Sequence, residues 1–309
     1  MSARILVTGA SGFIGKNLIK KLLQGSEQVY GIVKSDIKPL KDLLSASRIY
    51  KLDLSNYHLV EKAVKKIKPD IIFHLSAYPD KGNKPEHIIN TFSSNVVGTF
   101  NLLRATSNLN YKRLVFSGSY KEYGSQPVPF KEHYILNPLS CYAASKAAAE
   151  AYCKLFHSMG KPIVRLRFST VYGPGQRGTA ALIPMTIQNA LKGKEIIVTS
   201  GNQARDFIHI DDTVDALIKS ASIPHAVGEA LNIGSGYEIQ IKKVVETIVN
   251  LCRSKSAVKI GALPQRRNEV MHMFGDISKA ARILNWQPNT KLETGLRNTI
   301  EWHKMQMGL

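Results

Sequence analysis

Cysteine is scarce in this chain: Cys141, Cys153 and Cys252 are the three in 309 residues. The number is odd and no two form a C-x-x-C pair, so neither a disulfide framework nor a zinc site is expected, and no metal of any kind. Also missing is any apolar run of the roughly 18–20 residues that a membrane helix needs. The first strand-like run begins at Ala3 with no signal peptide ahead of it, so a cytoplasmic protein with no membrane partner is expected. Acidic residues are few, 23 against 42 Lys and Arg, for a net charge of +19. No arginine-rich tract accompanies that charge. The basic residues are dispersed, and "KAVKKIK" (Lys62–Lys68) alternates with apolar residues as an ordinary amphipathic helix does. A solvated basic surface is the reading, with no nucleic acid as partner. Repeats and low-complexity segments are absent too. What is present, 44% hydrophobic and 21% charged residues, is globular composition.

The first half of the chain alternates between short apolar runs and helical spacing. "RILVTG", "QVYGIV", "PDIIFHLSA" (Asp70–Ala77), "KRLVFSGS" and "PIVRLRFS" read as strands. Between them lie helical stretches: Phe13–Gln24, one after Ser55 as cap, "SSNVVGTFNLLRATSNL", and the Ala-rich "SCYAASKAAAEAYCKLFHSMG" that stops at Gly160. Such alternation predicts an α/β fold, a Rossmann-type doubly wound parallel sheet whose strands are apolar because both faces are covered. After about Ser169 the pattern loosens. A dinucleotide-binding domain over 1–169, with returns near 207–236, and a smaller, partly discontinuous substrate-binding region over 170–206 and 237–309 are expected.

In "VTGASGFIG" three glycines recur at every third position, Gly9, Gly12 and Gly15, on the turn between the first strand and first helix. A dinucleotide explains them. Gly9 permits the turn, Gly12 lets a pyrophosphate approach the backbone, and Gly15 allows close helix–strand packing. Ser11, Phe13 and Ile14 complete the turn, and the helix N-terminus holds the negative charge. The second strand lacks the acid that would bind a ribose: Val33 stands there, followed by Lys34 and Ser35. A cation and a hydroxyl suit a 2′-phosphate, so NADP(H) is favoured over NAD(H), with Asp36 as the contrary sign. Asp53 and Leu54 are placed to flank the adenine, although Asp53 also suits a helix cap.

Tyr142 and Lys146 are four apart in a strong helical segment and so share a face. An ammonium near a tyrosine lowers its pKa from about 10, and the phenol can then exchange a proton with a sugar hydroxyl at neutral pH. Ser117 and Ser119 end a strand at the same sheet edge as the glycine turn, where a hydroxyl can orient a reacting oxygen. Cys141 has no base motif beside it and reads as a packing residue; His74 reads as a satisfied core histidine.

"FHLSA" (Phe73–Ala77), "NVVGT" (Asn95–Thr99), "VFSGSYKEYG" (Val115–Gly124), "YAASK" (Tyr142–Lys146), "VYGPGQ" (Val171–Gln176), "RDFIHIDD" (Arg205–Asp212), "LNIGSG" (Leu231–Gly236) and "DISKAARILNWQP" (Asp276–Pro288) follow the glycine turn in order. The whole chain thereby resembles the extended short-chain dehydrogenases/reductases, the NAD(P)-dependent nucleotide-sugar epimerases, dehydratases and reductases. The resemblance implies a catalytic set of Ser119, Tyr142 and Lys146. It also implies coenzyme contacts from Leu75, Ser76, Ala77 and Asn95, and substrate contacts from Ser119, Thr170, Arg205 and Arg266. A nucleotide sugar and a second copy of the chain are the implied partners. The homodimer would form through helices around Asn95–Asn108 and Tyr142–Met159.

Another absence bears on the reaction. Dehydratases of this family carry an acid just after the catalytic Ser or Thr; here those positions are Tyr120 and Lys121, while Glu122 should face away on an extended segment. That argues against dehydration. "VYGIVKSD" and "GALPQRRNEV" are similar to bacterial GDP-4-keto-6-deoxymannose reductases, so NADPH-dependent reduction of a nucleotide 4-keto-6-deoxy sugar leads. An NAD-dependent UDP-hexose 4-epimerase is the alternative. A dinucleotide sensor without catalysis would be expected to lose the tyrosine or the lysine, and this chain keeps both.

Overall fold

A computed structural model describes residues 2–79, 82–178, 181–265 and 269–309. In chain order the first half runs β1 (Arg4–Thr8), α1 (Phe13–Leu22), β2 (Gln28–Val33), β3 (Ile49–Lys51), α2 (Tyr57–Ile67), β4 (Ile71–His74), α3 (Pro85–Thr91), α4 (Gly98–Thr106), β5 (Arg113–Ser119), α5 (Cys141–Ser158) and β6 (Ile163–Phe168). The second half adds β7 (Thr170–Tyr172), α6 (Leu182–Leu191), β8 (Ile196–Val198), β9 (Ala204–Arg205), β10 (Phe207–His209), α7 (Ile210–Ser222), β11 (Ala230–Ile233), β12 (Ile239–Gln240), α8 (Ile241–Leu251), β13 (Val258–Ile260), β14 (His272–Met273), α9 (Ser278–Leu284) and α10 (Leu292–Met307).

Seven strands form one parallel sheet in the order β11-β6-β5-β4-β1-β2-β3. The order reverses between β1 and β4, and a crevice opens at such a reversal, beyond the strands' carboxyl ends. Each face is covered by its own apolar core. Leu18 and Ile19 of α1, Val214 and Leu217 of α7 and Trp286 build one; Val60 and Val64 of α2, Leu102 and Leu103 of α4, and Cys153 and Phe156 of α5 build the other. Alternate residues of one strand feed opposite cores: Ile5 and Val7 the first, Leu6 the second. A separate core holds α6, α8 and α10 together around Ile187, Val245 and Ile300. β11 returns to the edge of the main sheet, whereas β10 pairs with β7 in a small sheet of its own.

Local departures from the sequence reading have physical causes. β4 ends at His74, not at Ala77, because the chain there swings beneath the glycine turn: a Cβ on Gly9 would stand 2.8 Å from the Leu75 carbonyl carbon and the Ser76 nitrogen. The cap of α2 is Asn56, whose side chain accepts the Leu59 N–H, in place of Ser55. β3, only three residues long, carries too little pattern to be read. The helix read from Ser93 begins eight residues earlier, as α3 running through a π-helical turn at Phe92–Val97 into α4. Among the described residues no helix is long and apolar enough to cross a membrane.

Candidate active site

The glycine turn is built as a cradle. Gly9 has φ +67°, open to glycine and strained for other residues. The Gly12 N–H donates to the Gly9 carbonyl at 2.9 Å, and a Cβ on Gly15 would stand 2.4 Å from that same oxygen. Gly12 is exposed and caps α1 with no side chain, and no acid sits in the first turn, so the helix's leading N–H groups face the crevice. Those are the conditions for holding a diphosphate. Ser11, Phe13 and Ile14 flank it, partly buried. Alongside lies a cavity of about 240 Å³ whose lining includes Ile32, Lys34, Asp53, Leu54, Ser76 and Ala77.

Lys34 is not the unpaired cation that a 2′-phosphate calls for. Its ammonium meets the Asp53 carboxylate at 2.9 Å. Burial opposes charge on Asp53, but the Ser55 N–H and the Lys34 ammonium outweigh it and hold the carboxyl below its ordinary pKa. Val33, at the position where an acid was missing, is buried in the sheet core.

At the next strand end, two serines of β5 divide their work. Ser117 is buried and donates to the His74 carbonyl at 3.0 Å, so it serves the sheet. Ser119 is half-buried, and its Oγ accepts the Lys121 N–H at 3.3 Å, which leaves the hydroxyl proton available to a substrate oxygen. Tyr142 and Lys146 lie in the first two turns of α5, which Ser140 caps by accepting the Ala143 N–H at 3.2 Å. Tyr142 is partly exposed, and the Lys121 ammonium lies 6.0 Å from its ring centre. Lys146 is 3% exposed with its ammonium 4.9 Å from the Phe116 ring centre. Burial lowers its pKa to about 8.

Asn95 lies in the π-helical turn, a feature found often at functional sites. Its Oδ1 accepts the Tyr78 N–H at 2.6 Å, and its amide donates to the Tyr78 carbonyl and to Ser145 Oγ at 2.8 Å. It is buried with its polar atoms used, so it acts on the crevice by bracing the Tyr78 loop and α5 rather than by facing a coenzyme. His74 is the satisfied core histidine expected, between Thr8 Oγ1 at 2.7 Å and Thr99 Oγ1 at 2.8 Å. Cys141 Sγ packs against the Gly82 carbonyl at 3.2 Å.

The substrate side is less assembled. Arg205 pairs with Glu269, and its guanidinium also donates to the carbonyls of Ala204 and Met271. Neither Asp206 nor Asp212 is its partner: Asp206 takes the N–H groups of Ser235 and Gly236, and Asp212 those of Asn289 and Thr290. Thr170 is exposed at the start of β7. Arg266 lies outside the described residues.

Glu122 departs from expectation. Its segment is a short 3-10 turn, Tyr120–Tyr123, not an extended stretch, and the side chain folds back so that Oε1 accepts the Ser119 N–H at 2.6 Å. Fully buried, it belongs to a polar cluster with Glu150 and Arg167 that the sequence reading missed. The signal was there: arginines at positions 165 and 167 of an otherwise apolar strand, and a glutamate one turn past Lys146.

With this geometry in hand, comparison with known proteins is decisive. The family model of the NAD dependent epimerase/dehydratase family matches residues 5–234. The chain belongs to that family. YtcB of Bacillus subtilis, described as an uncharacterized UDP-glucose epimerase, is 33% identical over 97% of both chains. A UDP-glucuronate 4-epimerase of Thermodesulfobacterium geofontis is 31% identical over 98% of this chain and 97% of its own. Among solved structures, the Bacillus cereus UDP-glucuronic acid 4-epimerase in complex with UDP-glucuronic acid and NAD superposes with a TM-score of 0.89, at 27% identity, covering 98% of this chain and 99% of that one. This epimerase/dehydratase-family protein is therefore an NAD(P)-dependent enzyme of the extended short-chain dehydrogenase/reductase type, as its motifs implied.

Proposed function

We propose that the chain is a UDP-sugar 4-epimerase, acting on a UDP-hexose or UDP-hexuronate with NAD held in the crevice. The observation that carries this reading is the match, along nearly the full chain, to proteins named as UDP-sugar 4-epimerases. The reductase favoured by the sequence loses ground on two counts. The relatives named above are epimerases, and Lys34, on which the preference for NADPH rested, is neutralised by Asp53. The negative Asp53 also disfavours a 2′-phosphate beside it, and the solved relative holds NAD.

In this reading Tyr142 takes the proton of the C4 hydroxyl as C4 gives up its hydride, and returns it to the same oxygen after the 4-keto sugar has turned its other face to the coenzyme and C4 has regained the hydride there. Lys146 supplies the charge that makes the phenol acidic enough and holds the nicotinamide ribose. Ser119 donates to the reacting oxygen and fixes its orientation. The nicotinamide, when bound, supplies the redox partner for C4. The glycine cradle and the N-terminus of α1 would hold its diphosphate, with Asp53 and Leu54 beside the adenine. No carboxylate stands at positions 120 and 121 to remove a C5 proton, and Glu122 is sealed beneath Ser119. Arg205, Arg266 and Thr170 are assigned to the UDP diphosphate and sugar.

A homodimer is part of the proposal. Ile88, Ile89 and Phe92 on one helical rod, Tyr152 and Leu155 on α5, and Met159 at its C-terminal cap are exposed, and the two helices adjoin. An apolar face of that kind calls for a partner, and a second copy supplies an identical one. The three cysteines are free thiols, in keeping with a reducing cytoplasm.

The test is to incubate purified protein with UDP-glucose, UDP-galactose, UDP-glucuronate or UDP-galacturonate without added coenzyme, and to follow the sugars by proton NMR. Interconversion at C4 is expected. Inertness toward all four, together with steady NADPH consumption on a nucleotide 4-keto sugar, would restore the reductase.

A further inference from the structure

Beneath the crevice lies a carboxyl that the proposed chemistry does not use. Glu122 is 0% exposed. Its Oε1 accepts the Ser119 N–H at 2.6 Å, closing a reciprocal turn in which Ser119 Oγ accepts the Lys121 N–H. Gly118 is a glycine because of it: a Cβ there would stand 2.9 Å from Glu122 Oε1. The second oxygen, Oε2, is buried and has no donor among the described residues. Its neighbour is another carboxyl, that of Glu150.

Two neighbouring carboxylates buried from water repel each other, and an oxygen with no donor near it favours a proton on one of the pair. The surroundings decide which. Glu150 is gripped by Arg167 at 2.5 and 3.0 Å, with Arg165 Nε 3.8 Å away, so its charge is offset. Glu122 has no such fork. The charged groups facing it are Glu150 and Lys146 from α5 and Arg167 from β6; burial and Glu150 raise its pKa well above the usual carboxyl range, outweighing Arg167 and Lys146. Tyr123 Oη completes the cluster, taking the Arg167 Nη1 donor at 2.7 Å and donating to Asn232 at 2.7 Å.

We propose that Glu122 is a positioning residue held as a neutral acid: its O–H donates to Glu150 while its carbonyl oxygen accepts the Ser119 N–H, locking the serine's strand end to the helix that carries Tyr142 and Lys146. The proposal rests on the assignment of Ser119, Tyr142 and Lys146 as the catalytic set, but its core statement, a proton on Glu122, is measurable without turnover. Neutrality has a consequence for the site. The counter-charge facing Lys146 then comes from Glu150 alone, so the pH at which Lys146 loses its proton does not depend on Glu122.

The experiment compares wild type with E122Q and E122A in two readouts. The first is infrared difference spectroscopy of the substrate-free protein near neutral pH. The carbonyl stretch of an un-ionised carboxyl is expected in wild type and absent from E122Q, whose amide reproduces both hydrogen bonds. The second is the pH profile of kcat on whichever UDP-sugar the protein turns over. E122Q should keep the alkaline limb in place and restore most of the turnover that E122A loses, a loss of about tenfold or more in kcat with KM little changed. A wild-type spectrum with no band removed by E122Q overturns the proposal. So does an alkaline limb moved downward in E122Q, the sign that an ionised Glu122 had supported Lys146. Should E122A fail to fold, the spectrum and the E122Q profile still decide. Should no UDP-sugar react, the spectrum alone judges Glu122, and the failure falls on the proposed function.

Discussion

In the proposed catalytic set, Tyr142 depends on Lys146 as much as on its own chemistry. A phenol ordinarily titrates near pH 10 and does no acid–base work at neutrality. The proposed remedy is the Lys146 ammonium, which the 3.6-residue period of α5 puts on the same helix face one turn away. Replacing Tyr142 by Phe should lower kcat by on the order of 10²–10⁴-fold while bound coenzyme is retained, measured by turnover and by coenzyme released on denaturation. Lys146 has a limit of its own. Burial lowers its pKa to about 8, so above that pH the folded protein loses the charge that the proposed mechanism needs beside Tyr142. Turnover should therefore fall as pH rises through about 8, and a kcat profile flat to well beyond that point would contradict the assignment.

At the scale of elements, the turn between β1 and α1 is the feature proposed to hold the coenzyme. A Gly9→Ala exchange would put a Cβ 2.8 Å from the backbone at Leu75 and Ser76 and force a left-handed backbone on alanine. A loss of about 1–3 kcal/mol in stability is expected by thermal or urea unfolding, together with coenzyme affinity. This turn was fully legible in the sequence, because glycine spacing reports backbone geometry directly. So were the long strands and helices, whose periodicity is strong. What escaped reading is what only three dimensions bring together. Lys34 and Asp53 sit nineteen residues apart on neighbouring strand ends, and their ion pair pairs off the cation that, with Val33 and Ser35, suggested a 2′-phosphate site. Glu122 looked extended because a four-residue 3-10 turn has no periodic signal. Asn95 was expected among the coenzyme contacts, and its bracing bonds to Tyr78 and Ser145 are ones that no spacing rule connects to it.

Over the whole molecule, the parallel sheet places the glycine turn, the β4 and β5 ends and α5 along one edge, so a site assembled from positions 9 to 146 needs no long-range adjustment. The same burial leaves a mark on pH stability. His74 is enclosed in the sheet, and burial followed by the Lys146 charge lowers its pKa to about 3. The unfolded chain takes up a proton near pH 6.5 that the folded protein refuses, so stability present above that pH is lost as pH falls from about 6.5 toward 3. Melting temperature should decline over that window, with a shallower decline in His74→Gln. The account's central claim, that one enclosed redox site works both faces of C4, is tested most directly by running the UDP-sugar reaction in heavy water without added coenzyme and reading the product by NMR. A C4 epimer with no deuterium on any carbon is the predicted result; deuterium at a sugar carbon, or no epimer until NADPH is added, would contradict it.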